Sequence, residues 1–183
     1  MLGFADEVWW SRLAHPNLHA WTDGDPVRVV QHTADKDDPA PKALACSGLW
    51  RAHTNARLMR LVDGRPVSHV TTQYLRWLAA RLADEGKQAL IVLWDHASWH
   101  VSREVRTWLK TQNQRVKRTG GCRLVMCQLP SKSPWLNRIE PKWVHGKRAI
   151  AAPNRKLTGE ETQQRICDFY HCELFAPLAQ KVA

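Results

Sequence analysis

Short apolar runs separated by polar turns dominate the first half of the chain, a pattern that is typical of β-strands. The runs that predict strands are residues 4–10, 27–32, 43–50, 58–62 and 67–71. The last two flank Asp63 and Gly64, a pair that favours a hairpin turn. The first half of the sequence therefore predicts an antiparallel meander of strands.

Beyond this point the spacing of the apolar residues becomes helical. Between residues 72 and 83 the leucines recur on one helix face, and Gly86 follows where it can end a helix. Residues 89–94 then form a continuous apolar run of strand length, which is typical of a strand buried on both faces. This strand ends at Asp95.

The second half continues to alternate helix and strand. The predicted elements are a helix over residues 102–115, a strand at 123–129, a loop at 130–134, a helix starting within 137–140 and a helix over 159–174. Ser102 can cap the first of these helices, and Pro141 fits only the first turn of the second. Thr158 and Glu161 have the spacing of a capping box at the start of the last helix.

This order of elements predicts a mixed α/β fold, with a sheet that is partly antiparallel and partly parallel and is flanked by helices. A length of 183 residues suits one domain, 1–183, with its own core. No apolar run approaches the roughly 18 residues of a membrane-spanning helix, so we expect no membrane partner.

The net charge of +10 is unevenly distributed, because the whole basic surplus lies between residues 102 and 165. Such a surplus suits either a surface that binds a polyanion such as DNA or a solvated basic face. Charge alone leaves the two open. The pairs Cys122 with Cys127 and Cys167 with Cys172 resemble halves of a zinc site, but we interpret them as ordinary thiols because the spacing is wide for zinc.

Three carboxylates interrupt apolar surroundings: Asp6 in the first strand, Asp95 at the end of the most apolar strand, and Glu140 at the start of a helix. Carboxylates at strand ends and helix starts can converge at one edge of a sheet. Such a cluster suits Mg²⁺ or Mn²⁺, and two ions about 4 Å apart can clamp an in-line phosphoryl displacement. Taken singly, each could instead be a surface or capping residue.

Three segments of the chain resemble a known family. They are the opening Phe-Ala-Asp-Glu-Val-Trp-Trp, the stretch Leu-Ile-Val-Leu-Trp-Asp-His-Ala-Ser-Trp-His that contains Asp95, and Leu-Pro-Ser-Lys-Ser-Pro-Trp-Leu-Asn-Arg-Ile-Glu-Pro-Lys-Trp, which contains Glu140. The chain resembles the DDE transposases of bacterial insertion sequences related to the mariner elements. The resemblance implies an RNase H-like catalytic domain and the metal-binding triad Asp6, Asp95 and Glu140.

The resemblance also assigns residues around the triad. Glu7, His100 and Asn137 fall at family motif positions, where they support the site or contact DNA, and Trp135 is a candidate for base stacking. The basic residues expected to hold DNA phosphates are Arg115, Lys117, Arg118, Lys132, Lys142, Lys147 and Arg148.

The activity implied is metal-dependent cleavage of double-stranded DNA at transposon ends, followed by transfer of the freed 3′-hydroxyl into target DNA. We expect two Mg²⁺ or Mn²⁺ ions, a possible homodimer, and a cytoplasmic, nucleoid-associated location in a bacterium. We expect residues 1–183 to lack the family's N-terminal helix-turn-helix region. Two alternatives stay open: an inactive or partner-dependent DNA-binding fragment, and a general RNase H-like nuclease.

Overall fold

A computed structural model describes residues 1–13, 23–24, 37–150 and 155–179. Within these ranges the strands are β1 Leu2–Ser11, β2 Ala43–Arg51, β3 Arg57–Asp63, β4 Ala89–Trp94, β5 Arg123–Gln128 and β6 Leu178–Ala179. They form one sheet in the order β5-β4-β1-β2-β3-β6. The first three strands are antiparallel, whereas β4 runs parallel to β1, β5 to β4 and β6 to β3. The predicted mixed sheet is confirmed.

Helices cover both faces of this sheet. In the described ranges they are α1 Ser68–Asp84, α2 Arg103–Thr119, α3 Glu140–Ile150 and α4 Gly159–Tyr170. The core beneath α1 and α2 contains Leu75 and Leu78 packed with Leu90 of β4. The core beneath α3 and α4 is largely aromatic, and Trp10 of β1 lies in it with Trp143 and Tyr170. The fold therefore has three layers, with the sheet in the middle.

Strand β1 feeds both cores because its side chains alternate between the two faces. Ala5 belongs to the core beneath α1, whereas Phe4 and Val8 belong to the core beneath α3. The next two residues, Asp6 and Glu7, follow the same alternation and so leave the strand on opposite faces. One dipeptide thus delivers a carboxylate to each side of the sheet.

One predicted strand is wrong. Residues 67–71 form the start of α1, with Val67 as its N-terminal flanking residue, and not the second arm of a hairpin. The β-branched side chains suggested a strand, but Val70 and Tyr74, four residues apart, are both buried on one helix face. Core packing has outweighed local strand propensity.

The boundaries of the other predicted elements differ from the observed ones by a few residues. Helix α2 continues to Thr119, and α4 ends at Tyr170 because His171 adopts a left-handed conformation with φ of 52°. The Ser102 cap and the Thr158–Glu161 capping box are both confirmed. Strand β6 has only two residues and was not predicted. The predicted strand at 27–32 lies outside the described residues.

No helix in the described ranges is both long enough and apolar enough to cross a membrane.

Candidate active site

Asp6 lies in the middle of β1, on the face that α3 covers. Its Oδ2 accepts a hydrogen bond of 2.9 Å from the indole nitrogen of Trp143. The approach of Trp143 depends on Gly48, the residue opposite Asp6 in β2, where a Cβ atom would lie 2.5 Å from the tryptophan ring. The lack of a side chain at Gly48 therefore lets the indole reach the aspartate.

Asp95 follows directly after β4 and lies at the same edge of the sheet. Phe4 pairs with Leu93 across the parallel strands β1 and β4, so two residues further on Asp6 and Asp95 reach the same level. The Oδ1 atom of Asp95 accepts a 3.0 Å bond from the backbone N–H of Ala97. The side chain is 53% exposed. The strand pairing thus places one carboxylate beside the other, with Asp95 facing solvent.

Glu140 is the first residue of α3 and is positioned by the residues just before it. Its backbone N–H donates to the carbonyl of Asn137 at 3.0 Å. The buried side chain of Asn137 in turn donates through Nδ2 to the carbonyl of Ala5, at 3.0 Å. Ile139 is fully buried between them. Asn137 therefore ties the start of α3 to β1 one residue away from Asp6.

The pKa values indicate that the three carboxylates are close together. Burial, with the negative charges of Glu140 and Glu7, raises the pKa of Asp6 to about 8. Burial and the charge of Asp95 raise the pKa of Glu140 as well. The structure therefore brings together Asp6, Asp95 and Glu140, with the Glu140 charge coupled to both aspartates.

Glu7 leaves β1 on the face opposite to Asp6. His100 lies between Glu7 and Asp95 and contacts both. His100 Nδ1 is 2.7 Å from Asp95 Oδ1, and His100 Nε2 is 2.9 Å from Glu7 Oε2. Burial disfavours the charged imidazole, but the hydrogen bonds to Asp95 and Glu7 outweigh it and raise the pKa of His100 to about 9. The bond to His100 also lowers the pKa of Asp95. Asp95 is thus ionised beside a protonated histidine at neutral pH.

A cavity of about 270 Å³ opens beside the carboxylates. Asp95 and Glu140 line it together with His96, Asn137 and the loop 129–134, which includes Lys132. Trp135, just beyond this loop, is 75% exposed. A larger cavity of about 600 Å³ lies between α1 and α2, but no carboxylate lines it. The smaller cavity is therefore the one connected to the candidate chemistry.

The structure divides the predicted phosphate-binding residues between two ends of the molecule. Lys132 lines the cavity, and the charge of Lys147 on α3 partly opposes the rise in the pKa of Glu140. Lys142 and Arg148 also lie on α3. By contrast, Arg115, Lys117 and Arg118 occupy the last turns of α2, which leads away from Asp95 to the start of β5. A helix of 17 residues spans about 25 Å, so this second group lies far from the carboxylates.

Sequence reasoning did not select Arg138 as a basic residue of the site. Its guanidinium lies 5.6 Å from the ring centroid of Trp50, and the amine of Lys142 lies 5.4 Å from the same ring. These two cations stand two residues before and two residues after Glu140. The signal that could have found Arg138 is this position next to Glu140 within the motif.

The donor set suits a hard divalent cation, because carboxylate oxygens are the ligands that Mg²⁺ and Mn²⁺ prefer. In the ranges that the structure describes, however, no group of three or more His, Cys, Asp or Glu side chains is already arranged to hold a metal ion. The chemistry of Asp6, Asp95 and Glu140 thus fits the ion, while their side chains have to turn toward a common point to bind it.

Comparison with known families decides what kind of domain this is. The sequence profile of the family described as "DDE superfamily endonuclease" matches residues 27–163, which is most of the chain. The chain belongs to the DDE superfamily endonuclease family. The matched region includes Asp95 and Glu140, and begins after Asp6. No curated protein matches this DDE domain.

Solved structures share the fold of this DDE domain. It superposes on the Mos1 transposase paired-end complex with the left transposon end with a TM-score of 0.70 and 16% identity, covering 94% of this chain and 48% of that chain. For the mariner Mos1 paired-end complex with Mg the TM-score is 0.67 and the identity 17%, over 92% of this chain and 47% of that one. For the catalytic domain of Mos1 mariner transposase the values are 0.54 and 16%, over 94% and 70%.

The DDE domain spans about half the length of the transposase chains that it matches in those complexes. At this level of identity the similarity concerns the fold alone. The fold is that of RNase H-like transposase catalytic domains.

Proposed function

We propose that this chain is the catalytic domain of a DNA transposase, related to those of bacterial insertion sequences and the mariner elements. It cuts DNA at transposon ends and joins the freed 3′-hydroxyl to target DNA. The observation that carries this proposal is the convergence of Asp6, Asp95 and Glu140 at one sheet edge, where burial and the neighbouring carboxylates raise the pKa of Asp6 and of Glu140. Family membership and the shared fold support it.

We assign Asp6, Asp95 and Glu140 as the ligands of two Mg²⁺ or Mn²⁺ ions. When bound, such ions neutralise the carboxylates, polarise the scissile phosphate and favour ionisation of the attacking hydroxyl. The protein's own part is to hold the three carboxylates at one edge. It does so through the Trp143 bond to Asp6, the His100 bond to Asp95 and the Asn137 bond to β1.

The proposed reaction has two phosphoryl transfers. In the first, the oxygen of a water attacks phosphorus, the bond from phosphorus to the 3′ oxygen breaks, and a 3′-hydroxyl and a 5′-phosphate are left. In the second, that 3′-hydroxyl attacks a target phosphodiester, forms a new ester bond and displaces the 3′ oxygen of the target strand. The cavity lined by Asp95 and Glu140 is where the phosphate would lie.

The partner is double-stranded DNA. Lys132 lines the cavity, and Lys142, Lys147 and Arg148 follow Glu140 on α3, so we assign these four residues to hold phosphates next to the site. The exposed ring of Trp135 offers a surface for an unpaired base, since base stacking on an aromatic ring needs no particular sequence. Arg115, Lys117 and Arg118 would contact a different stretch of DNA, beyond the far end of the sheet.

We further propose that residues 1–183 form one catalytic domain and that a separate helix-turn-helix region recognises the transposon ends. Pairing of two ends suggests a homodimer. Kinship with insertion sequences would place the protein in the bacterial cytoplasm, associated with the nucleoid.

Nicking of supercoiled plasmid DNA in Mg²⁺ or Mn²⁺ tests the proposal. The wild type is compared with Asp95→Asn, which keeps the side-chain shape, and with Asp84→Asn, the same change at an exposed residue at the other end of the sheet. We expect the wild type and Asp84→Asn to nick the plasmid and Asp95→Asn to lose the activity while still binding DNA, because the binding charges are elsewhere.

The result also separates the alternatives. Equal nicking by all three proteins would contradict the assignment of Asp95 as a metal ligand. Binding without nicking by the wild type would favour an inactive or partner-dependent DNA-binding fragment. Nicking without joining of a precut end carrying a 3′-hydroxyl would favour a general nuclease.

A further inference from the structure

Three side chains form a continuous hydrogen-bonded line from the interior of the protein to the candidate site. Glu7 of β1 contacts His100 at 2.9 Å, and His100 contacts Asp95 at 2.7 Å. The Glu7 and His100 side chains are only 4% and 2% exposed, whereas Asp95 is 53% exposed. Since the two inner members are buried, they are not placed to touch DNA. Their contact with the site is through Asp95.

The imidazole ring of His100 is fixed from several directions. The ring of Trp94 lies against it, with centroids 3.8 Å apart, and the ring of Trp99 meets it edge-on at 5.8 Å. Glu7 accepts a further hydrogen bond of 3.1 Å from the indole nitrogen of Trp99. The ring therefore has no free rotation, and its Nδ1 atom points at a fixed place beside Asp95.

The two carboxylate oxygens of Asp95 have different hydrogen-bond partners. Oδ1 receives both the Ala97 backbone N–H at 3.0 Å and the His100 Nδ1 at 2.7 Å. Oδ2 has no hydrogen-bond partner among the described residues. An exposed aspartate would otherwise rotate freely, and ordering it would reduce the affinity for any ligand that needs one orientation.

We infer that Glu7 and His100 are positioning residues, which hold the Asp95 carboxylate so that Oδ1 is bound to the protein and Oδ2 is presented to the divalent cation. The inference rests on the proposed function and adds which oxygen binds the ion and what orients it. Hydrogen-bonded partners of metal ligands commonly contribute 10- to 100-fold to metal affinity. Loss of the His100 bond should therefore reduce the affinity for the divalent cation by roughly tenfold.

Two variants of His100 separate positioning from packing. The amide nitrogen of asparagine is as many bonds from Cα as Nδ1, so His100→Asn can still donate to Asp95. The amide nitrogen of glutamine corresponds instead to Nε2, so His100→Gln can reach Glu7 and loses the bond to Asp95. Glu7→Gln and Glu7→Met form a second pair, because only the glutamine keeps an oxygen for His100.

The experiment is calorimetric titration of each purified protein with Mn²⁺ alone, with the thermal midpoint of unfolding measured in parallel without metal. We expect the Mn²⁺ affinity to fall about tenfold in His100→Gln and Glu7→Met and to stay near the wild type in His100→Asn and Glu7→Gln. In plasmid cleavage, the weakened variants should lose kcat with an unchanged KM for DNA.

Equal Mn²⁺ affinity in both members of each pair would overturn the inference, and so would losses that follow the thermal midpoint whichever donor is kept. Asp95→Asn in the same titration distinguishes this failure from that of the proposed function. If Asp95→Asn abolishes Mn²⁺ binding and the His100 and Glu7 pairs do not differ, only the positioning role is wrong. If Asp95→Asn binds Mn²⁺ as the wild type does, the ligand assignment itself is wrong, and the inference falls with it.

Discussion

The indole N–H of Trp143 reaches Asp6 across the backbone of Gly48, with a hydrogen bond of 2.9 Å. A Cβ atom at Gly48 would lie 2.5 Å from one ring carbon and 2.9 Å from another. The tryptophan must therefore move if any side chain is added there. The position of a candidate catalytic carboxylate is thus coupled to the absence of a side chain on the neighbouring strand.

We predict that Gly48→Ala destabilises the fold by about 1–3 kcal/mol, the usual cost of overpacking a core, and strongly reduces DNA cleavage. Gly159→Ala is the matched control, because nothing lies within 4 Å of a Cβ at that position. Urea denaturation and plasmid nicking measure the two effects. An alanine at 48 that leaves both stability and nicking unchanged would show that Trp143 does not depend on this close approach.

The raised pKa of Asp6 predicts a pH-dependent gain in stability for Asp6→Asn. Because the folded-state pKa is about 8 and the ordinary value is 3.8, the folded protein holds the proton more tightly than the unfolded chain. The wild type therefore loses stability relative to Asp6→Asn as the pH rises from about 4 to about 8. At pH 8 and without metal, we expect Asp6→Asn to be more stable than the wild type by about 1–2 kcal/mol, since the asparagine carries no buried charge.

Urea denaturation of both proteins in a chelator at pH 5, 6, 7 and 8 provides the check. The difference in free energy of unfolding should be small at pH 5 and should grow with each step. Asp84→Asn, at an exposed position on α1, controls for general charge effects. A difference that does not change with pH would contradict the raised pKa.

The sheet, and the edge of the sheet where Asp6, Asp95 and Glu140 lie, could be predicted from patterns between neighbouring residues in the sequence. The apolar run before Asp95 has the length and composition of a strand, as observed, although β4 is not buried on both faces, since Ile91 is 41% exposed. Pro141 limits the start of α3 to the residues around Glu140. The edge geometry follows once β1 and β4 are parallel neighbours. The apolar surroundings of Asp6 marked it as a candidate, and the motif resemblance assigned it to the metal-binding triad.

What the sequence could not predict depends on packing between distant segments. The start of α1 carries β-branched residues, and only the core contacts of Val70 and Tyr74 make it helical. The bond from His100 to Glu7 joins residues 93 positions apart, so no local pattern indicates it. The separation of Lys117 and Arg118 from the carboxylates is likewise invisible in the charge distribution along the chain.

Arg12 provides a test of how the end of β1 is held. Its buried guanidinium donates to the carbonyls of Pro41 and Leu157 at 2.6 and 3.1 Å and to Asp38 Oδ2 at 2.6 Å. Replacing Arg12 with methionine keeps much of the volume but removes the donor to the carbonyls of Pro41 and Leu157, whereas Asp38 keeps its contact with Lys156 at 2.8 Å. We therefore expect a loss of about 3 kcal/mol in free energy of unfolding.

Arg65→Met is the matched control, because Arg65 is exposed in the loop before α1 and should tolerate the change. Chemical denaturation of the two variants and the wild type gives the comparison. Equal stability of the Arg12 and Arg65 variants would mean that the loops around Pro41 and Leu157 are held by other contacts.

The two basic groups predict different dependence on the length of bound DNA. Lys147 lies on the same helix as Glu140 and influences its charge, whereas Lys117 and Arg118 lie at the far end of α2, about 25 Å along the helix from its start. A duplex of about one helical turn extends only about 17 Å to either side of its centre, so one that is centred on the carboxylates would be too short to engage both groups. We expect the double change Lys147→Gln with Arg148→Gln to weaken binding of short and long duplexes alike.

The double change Lys117→Gln with Arg118→Gln should weaken binding of long duplexes only. Each lost phosphate contact should reduce the slope of log K against log salt by about 0.9. Fluorescence anisotropy with a short and a long duplex at several salt concentrations measures both effects. If the changes at Lys117 and Arg118 leave the salt slope for long DNA unaltered, that surface is a solvated basic face. The charge surplus that binds DNA would then be confined to the loop before α3 and to α3 itself.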